Sequence, residues 1–106
     1  MIIYNTTYQM SEADARDFVI WVHEVYFPQV HAQGQLTNGR LCRILSHKDD
    51  ESECFAVQFE TTSTATLHAW FVKQGQKLNE EMLRMFNNRV VGFSTMMEVI
   101  TEDVEN

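Results

Sequence analysis

A chain of 106 residues, 44% hydrophobic and 22% charged, has the size and composition of one globular domain with a single core. Its formal net charge of -7, from 15 acidic against 8 basic residues, repels a phosphate backbone and argues against a nucleic-acid partner. No basic leader opens the sequence and no uncharged stretch is apolar enough to span a bilayer, so membrane association is not expected and a soluble cytoplasmic protein is.

Residues 2 to 10 alternate. Ile2, Tyr4, Thr6, Tyr8 and Met10 form one face, and Ile3, Asn5, Thr7 and Gln9 the other. This period of two, rich in β-branched and aromatic residues, predicts a strand. Ser11 with Asp14 three residues on resembles a capping box and predicts a helix start. That helix is expected to reach Phe27 or Val30, with Pro28 near its end. Its main apolar stripe is Ala15, Phe18, Val19, Val22, Val25 and Tyr26. A weaker stripe of Ile20, His23 and Phe27 points to a second contact, with a partner chain or a ligand.

Gly34 and Asn38-Gly39 then punctuate the chain. Strands are predicted over about 40–46 and 54–60, joined by a polar turn centred near Asp50 and Glu51. Thr61, Thr62 and Ser63 offer N-caps for a second helix. This helix carries Leu67, Trp70, Phe71 and Gln74, is open to interruption at Gly75, and resumes through Leu78, Met82 and Met85. Residues 89 to 100 predict the last strand, with Val91, Phe93, Met97 and Val99 on its more apolar side. The ending, residues 101–106, reads as a flexible acidic tail, which leaves 1–100 as the domain.

The order strand, helix, strand, strand, helix, strand gives two right-handed βαβ units. That is an α+β, ferredoxin-like βαββαβ two-layer sandwich, with a four-stranded antiparallel sheet and two helices on one face. The first and third strands should be central. The helices are expected to cover Tyr4, Tyr8, Phe55, Val57, Phe59, Phe93 and Val99. The other face would carry Ile3, Asn5, Thr7, Ala56, Gln58, Ser94 and Met96, joined by Arg43, Leu41 and Leu45 if the second strand has that parity. Such a mixed face, left bare, predicts a homodimer packed sheet against sheet about a two-fold axis.

Met1-Ile2-Ile3-Tyr4-Asn5, Phe27-Pro28-Gln29-Val30, Gly34, Arg40-Leu41-Cys42-Arg43-Ile44-Leu45, Phe55-Ala56-Val57-Gln58-Phe59 and the run from Val91 to Ile100 together resemble a small bacterial family, domain of unknown function 4286. The resemblance implies a ferredoxin-like domain of the dimeric α+β barrel type and no established activity. Relatives often carry His two residues before the helical proline, where this chain has Tyr26, so the pattern carries no acid–base role across to that position.

Five residues are the candidate ligand contacts: Asn5, His23, Tyr26, Arg43 and Gln58. Asn5, Arg43 and Gln58 would offer donors and acceptors on the uncovered face, with Arg43 able to hold a carboxylate or phosphate. Their alternative role is a paired polar network across a dimer seam. His23 could sense pH or contact a ligand. His23 and His31 lie eight residues apart, too far to chelate together along a straight helix, and no His or Cys spacing among His23, His31, His47, His68, Cys42 and Cys54 suits a metal. Neither a metal nor another cofactor is expected. Cys42 and Cys54 do not face each other in the predicted hairpin, where 42 lies opposite about 59 and 54 opposite about 47, so both should be reduced thiols. Trp21 and Trp70 read as packing.

Two functions follow. One is a non-enzymatic dimeric domain that binds a small ligand or a protein partner. The other is a cofactor-independent oxygenase or isomerase acting on a small apolar molecule. In the second, Tyr26 or His23 would transfer protons and Asn5 or Arg43 would position the substrate. A cleft filled by Tyr8, Phe18, Trp70 and Phe93 would leave no room for it.

Overall fold

In the computed structural model, residues 1–46 and 51–103 are described. His47, Lys48, Asp49 and Asp50, and Val104 to Asn106 of the expected tail, lie outside them. Strand β1 (Ile2–Ser11) alternates as its sequence demands: Ile2, Thr6, Tyr8 and Met10 are buried on one side. Ser11 ends it and caps the next helix, its hydroxyl accepting from the Asp14 N–H at 3.3 Å.

The first helical element, α1, has three parts. An α-helix (Glu12–Trp21) widens into a π-helical stretch (Val22–Tyr26) and returns to α-helix (Phe27–Gln33). Pro28 is the second residue after the wide turn. A proline has no N–H to donate and crowds the carbonyl one turn back, and the looser π turn absorbs both defects. The helix therefore runs past the expected stop and ends at Gly34, whose φ of 72° supplies the left-handed C-cap.

Strand β2 (Thr37–Arg43) and strand β3 (Ser52–Thr61) form the hairpin. The second helical element, α2, repeats the plan of the first: α-helix (Thr64–Trp70), π-helical stretch (Phe71–Gly75), α-helix (Gln76–Phe86). Ser63 caps it through the Thr66 N–H at 3.1 Å. A 3₁₀ turn (Asn87–Arg89) leads into strand β4 (Val90–Glu98). The sheet order is β2-β3-β1-β4, all neighbours antiparallel, with β1 and β3 central. The ferredoxin-like α+β fold is thus in place. Phe18, Val22, Val30, Val57 and Trp70 are the most deeply buried side chains and join sheet to helices.

Two strands depart from their expected parity. In β4, Gly92 lies opposite Tyr8 and Ser94 opposite Thr6, so Val90, Gly92, Ser94 and Met96 face the helices. Phe93 pairs with Thr7 and stands on the uncovered face, 66% exposed, with Val91 and Met97. The expectation that Phe93 meets the helices, with Ser94 and Met96 outside, is therefore reversed; Val99 lies beyond the end of β4. At the inward position opposite Tyr8 there is room only for glycine: a Cβ on Gly92 would come within 2.7 Å of the Tyr8 ring.

In β2, Leu41 lies opposite Val57 and Arg43 opposite Phe55, which puts both on the helix side. The Arg43 guanidinium sits 5.5 Å from the Phe55 ring centroid and pairs with Glu53 at 3.3 Å. Arg43 does not join Asn5 and Gln58. A register shift between Thr37 and Arg40 brings Arg40 opposite Gln58 in its place. Cys42 faces Ala56, not a residue near 59, and neither Cys42 nor Cys54 forms a disulfide.

Candidate functional site

The reversed parity of β4 leaves space. Gly92 and Ser94 are too small to fill the gap between that strand and α2, and a cavity of about 310 Å³ opens there. Its floor is Tyr4, Thr6 and Tyr8 of β1. Trp21 and Tyr26 close one end from α1. Trp70, Gly75, Leu78 and Met82 form the wall from α2. Tyr8, Trp70 and Phe93 are among the residues that line this space; Phe18 packs against Tyr8, ring centroids 4.9 Å apart, and the register of Phe93 opposite Thr7 turns it toward the far face of the sheet. The cleft is therefore walled by the aromatic residues rather than plugged by them. An open groove of about 730 Å³ adjoins it, sharing Tyr4, Phe71 and Ser94 and adding His68 and Met96.

The two π-helical stretches position the tryptophans. In an ordinary α-helix, residues five apart diverge by well over a quarter turn, whereas a π turn brings them to one side. Trp21 and Tyr26 consequently stack, with centroids 5.2 Å apart and planes at 12°. Trp70 lies over Gly75, where a Cβ would stand 2.6 Å from the indole. The Trp70 N–H donates to Gln74 Oε1 at 2.7 Å, and Gln74 Nε2 donates to the Gln29 carbonyl at 2.8 Å. The orientation of the Trp70 ring is thus fixed by a tie between the two helices. Trp21 has no such tie: its indole nitrogen is buried and without a hydrogen-bond partner among the described residues.

A chain of hydroxyls crosses the floor. Ser94 Oγ lies 3.0 Å from Thr6 Oγ1 and 3.2 Å from the Tyr4 hydroxyl. Burial pushes the Tyr8 phenol well above the usual tyrosine value; the nearby Tyr4 adds to this, and the Thr6 hydrogen bond opposes it. Tyr26 is raised for the same main reason, with Tyr8 and Tyr4 contributing. Both phenols stay protonated near neutrality and serve as donors, not bases. No charged side chain is among the described residues that line the cavity.

Of the five residues singled out from sequence, only Tyr26 reaches this cavity. Asn5 and Gln58 pair directly across β1 and β3 on the uncovered face. Asn5 Nδ2 donates to Thr7 Oγ1 at 3.2 Å, while its Oδ1 is buried without a partner among the described residues. Arg43 is at the helix side of the sheet edge. His23 lines a separate groove of about 360 Å³ with His31, Phe27, Leu36 and Phe59. No group of three or more His, Cys, Asp or Glu side chains among the described residues could hold a metal ion. Trp21 and Trp70, read from sequence as packing alone, are the residues that shape the site. The signal for them was a tryptophan followed five positions later by Tyr26 in one helix and Gly75 in the other.

Residues 1–100 match the model of a family described as domain of unknown function, DUF4286. The chain belongs to this family. No protein of curated function matches the DUF4286 chain in sequence. Among solved structures, it is similar to a dimeric ferredoxin-like protein from an uncultured marine organism, at 16% identity over 96% of this chain and 97% of that one, TM-score 0.73. It is also similar to a candidate antibiotic biosynthesis monooxygenase from Deinococcus radiodurans, at 18% identity over 100% and 98%, TM-score 0.71. A third is SnoaB, a cofactor-independent oxygenase from Streptomyces nogalater, at 12% identity over 98% and 97%, TM-score 0.62. At these identities the likeness establishes the shared ferredoxin-like fold. Among the described residues no helix is long and apolar enough to cross a membrane.

Proposed function

We propose that residues 1–100 form one unit that acts as a homodimer and binds a small, neutral, ring-containing molecule in the cavity between α2 and the sheet. The observation that carries this is a cavity walled by two tryptophans and three tyrosines, with no charged side chain among the described residues that line it. Ligand sites are mostly apolar clefts with a few fixed polar groups, and 310 Å³ is near their lower size limit. A carboxylate, phosphate or ammonium group would lose its hydration there with no opposite charge to replace it. The reduced cysteines fit a cytoplasmic setting.

The dimer is supported by the uncovered sheet face. Four strands cover on the order of 500 Å² in projection, as much as the largest apolar patches ordinary monomers expose. Val91, Phe93 and Met97 stand on that face. Between them runs the polar row Arg40, Gln58, Asn5 and Thr95, one residue from each strand. The unpaired Asn5 Oδ1 within this row is an acceptor for a donor from a second copy. The dimeric state given for one structural neighbour agrees with this reading.

Binding is tested with 1-tetralone and tetralin, two neutral bicyclic compounds, against anionic 1-naphthoate. Either neutral compound should raise the melting temperature and quench tryptophan fluorescence saturably, and 1-naphthoate should do neither. Failure of both neutral compounds, or equal binding of the anion, contradicts the reading.

A second reading, a cofactor-independent oxygenase or isomerase on the same class of molecule, is favoured by the linked hydroxyls of Thr6, Ser94 and Tyr4 in the cavity floor. It predicts that a bound compound is recovered chemically changed without added metal; the binding reading predicts that it is recovered intact.

A further inference from the structure

The helix side of β4 is only partly covered. Gly92, Ser94 and Met96 face the helices, yet all three are exposed, Met96 by 61%. On α2, Thr64, Leu67, His68 and Phe71 recur at the spacing of one helical face, and Phe71 is also exposed. This face and β4 bound the open groove of about 730 Å³. Tyr4, Phe71 and Ser94 line both the groove and the inner cavity, so the two spaces meet along those three side chains. The groove is apolar through Ala65, Leu67, Phe71 and Met96, and no Asp, Glu, Lys or Arg is among the described residues that line it. The inner cavity alone, about 310 Å³, is near the lower size limit of ligand sites.

We infer that cavity and groove are one bipartite site, so that the ligand class is neutral ring compounds carrying an apolar chain. The ring occupies the cavity, and the chain leaves past Phe71 and Ser94 to lie between Leu67 and Met96. This rests on the cavity being the binding site. The chain is apolar because its gain comes from taking the exposed surface of Phe71 and Met96 out of water. Two residues of strand, Ser94 to Met96, span about 7 Å, and one helical turn, Leu67 to Phe71, about 6 Å; both walls match a chain of about six carbons. A second copy is the rival occupant, but Val91, Phe93 and Met97, on which the dimer reading rests, point to the other side of the sheet.

The test titrates the whole chain with acetophenone, butyrophenone, hexanophenone and octanophenone, and with 1-tetralone as a chainless reference. Affinity should rise about twofold per methylene up to hexanophenone, as expected for a chain buried on one side only, and then level off. Met96→Asp and Ala65→Glu each place a charge in the groove; each should flatten the series while 1-tetralone still binds. A flat series in the wild type with 1-tetralone bound, or a rise that survives both substitutions, overturns this inference alone. Sedimentation of Met96→Asp should match the wild type, and a fall in mass would give the groove to a second copy and overturn the inference as well. Binding of neither 1-tetralone nor any compound of the series overturns the cavity reading and this inference with it.

Discussion

Tyr8 lies against Gly92 on the neighbouring strand, so closely that a Cβ at residue 92 would come within 2.7 Å of its ring. This contact links sequence to site. The same register turns Phe93 outward and leaves beside Gly92 and Ser94 the space that becomes the cavity.

Gly92→Ala is therefore expected to force the Tyr8 ring away from β4. Overpacking of this kind costs about 1–3 kcal/mol, and the displaced ring should narrow the cavity. Denaturant unfolding should show the lost stability, and titration should show weakened binding of neutral ring compounds. A variant of full stability and affinity would mean that the ring is not held there.

Phe93→Glu is expected to leave the fold intact, since the side chain is 66% exposed on the single chain. It places a charge on the face assigned to the dimer, where charged groups without partners are costly. Sedimentation should give twice 12.4 kDa for the wild type and 12.4 kDa for the variant. Identical masses for the two proteins would remove this face from the interface.

High pH should destabilise the protein through Tyr8 and Tyr26. Both phenols have folded values raised above the unfolded value near 10. Their contribution is fully present below pH 10. It is lost as pH rises beyond that, because the unfolded chain releases protons that the native chain keeps. Each tyrosine steepens the decline by up to about 1.4 kcal/mol per pH unit. Melting temperature measured from pH 8 to 11 should fall above pH 10, and Tyr26→Phe should make that fall shallower. An unchanged slope in the variant would contradict the assignment.

Much of the fold was legible in the sequence. The alternation of β1, the Ser11 and Ser63 caps and the order of elements lead directly to the sheet and its central strands. The parity of β4 was not legible. Placing the more apolar side of a strand against the core fails where the outer face is apolar as well, and here Val91, Phe93 and Met97 occupy it. The position of Arg43 was hidden by the register shift in β2 and by its guanidinium lying over the Phe55 ring. The run of α1 beyond Val30 to Gln33 and the π turns in both helices are features that hydrophobic periodicity does not report. The site suffered from the same blindness. Tyr26 was singled out for its place near Pro28, but the tryptophans that shape the cavity gain their orientation from π turns.

The two tryptophans offer the most direct measurement. A ¹⁵N–¹H spectrum of the labelled protein should contain two indole signals, and 1-tetralone can be titrated against them. Both rings line the cavity, so both signals should move saturably. Shifts confined to residues outside the cavity, with both indole signals stationary at saturation, would contradict the assignment of this cavity as the binding site.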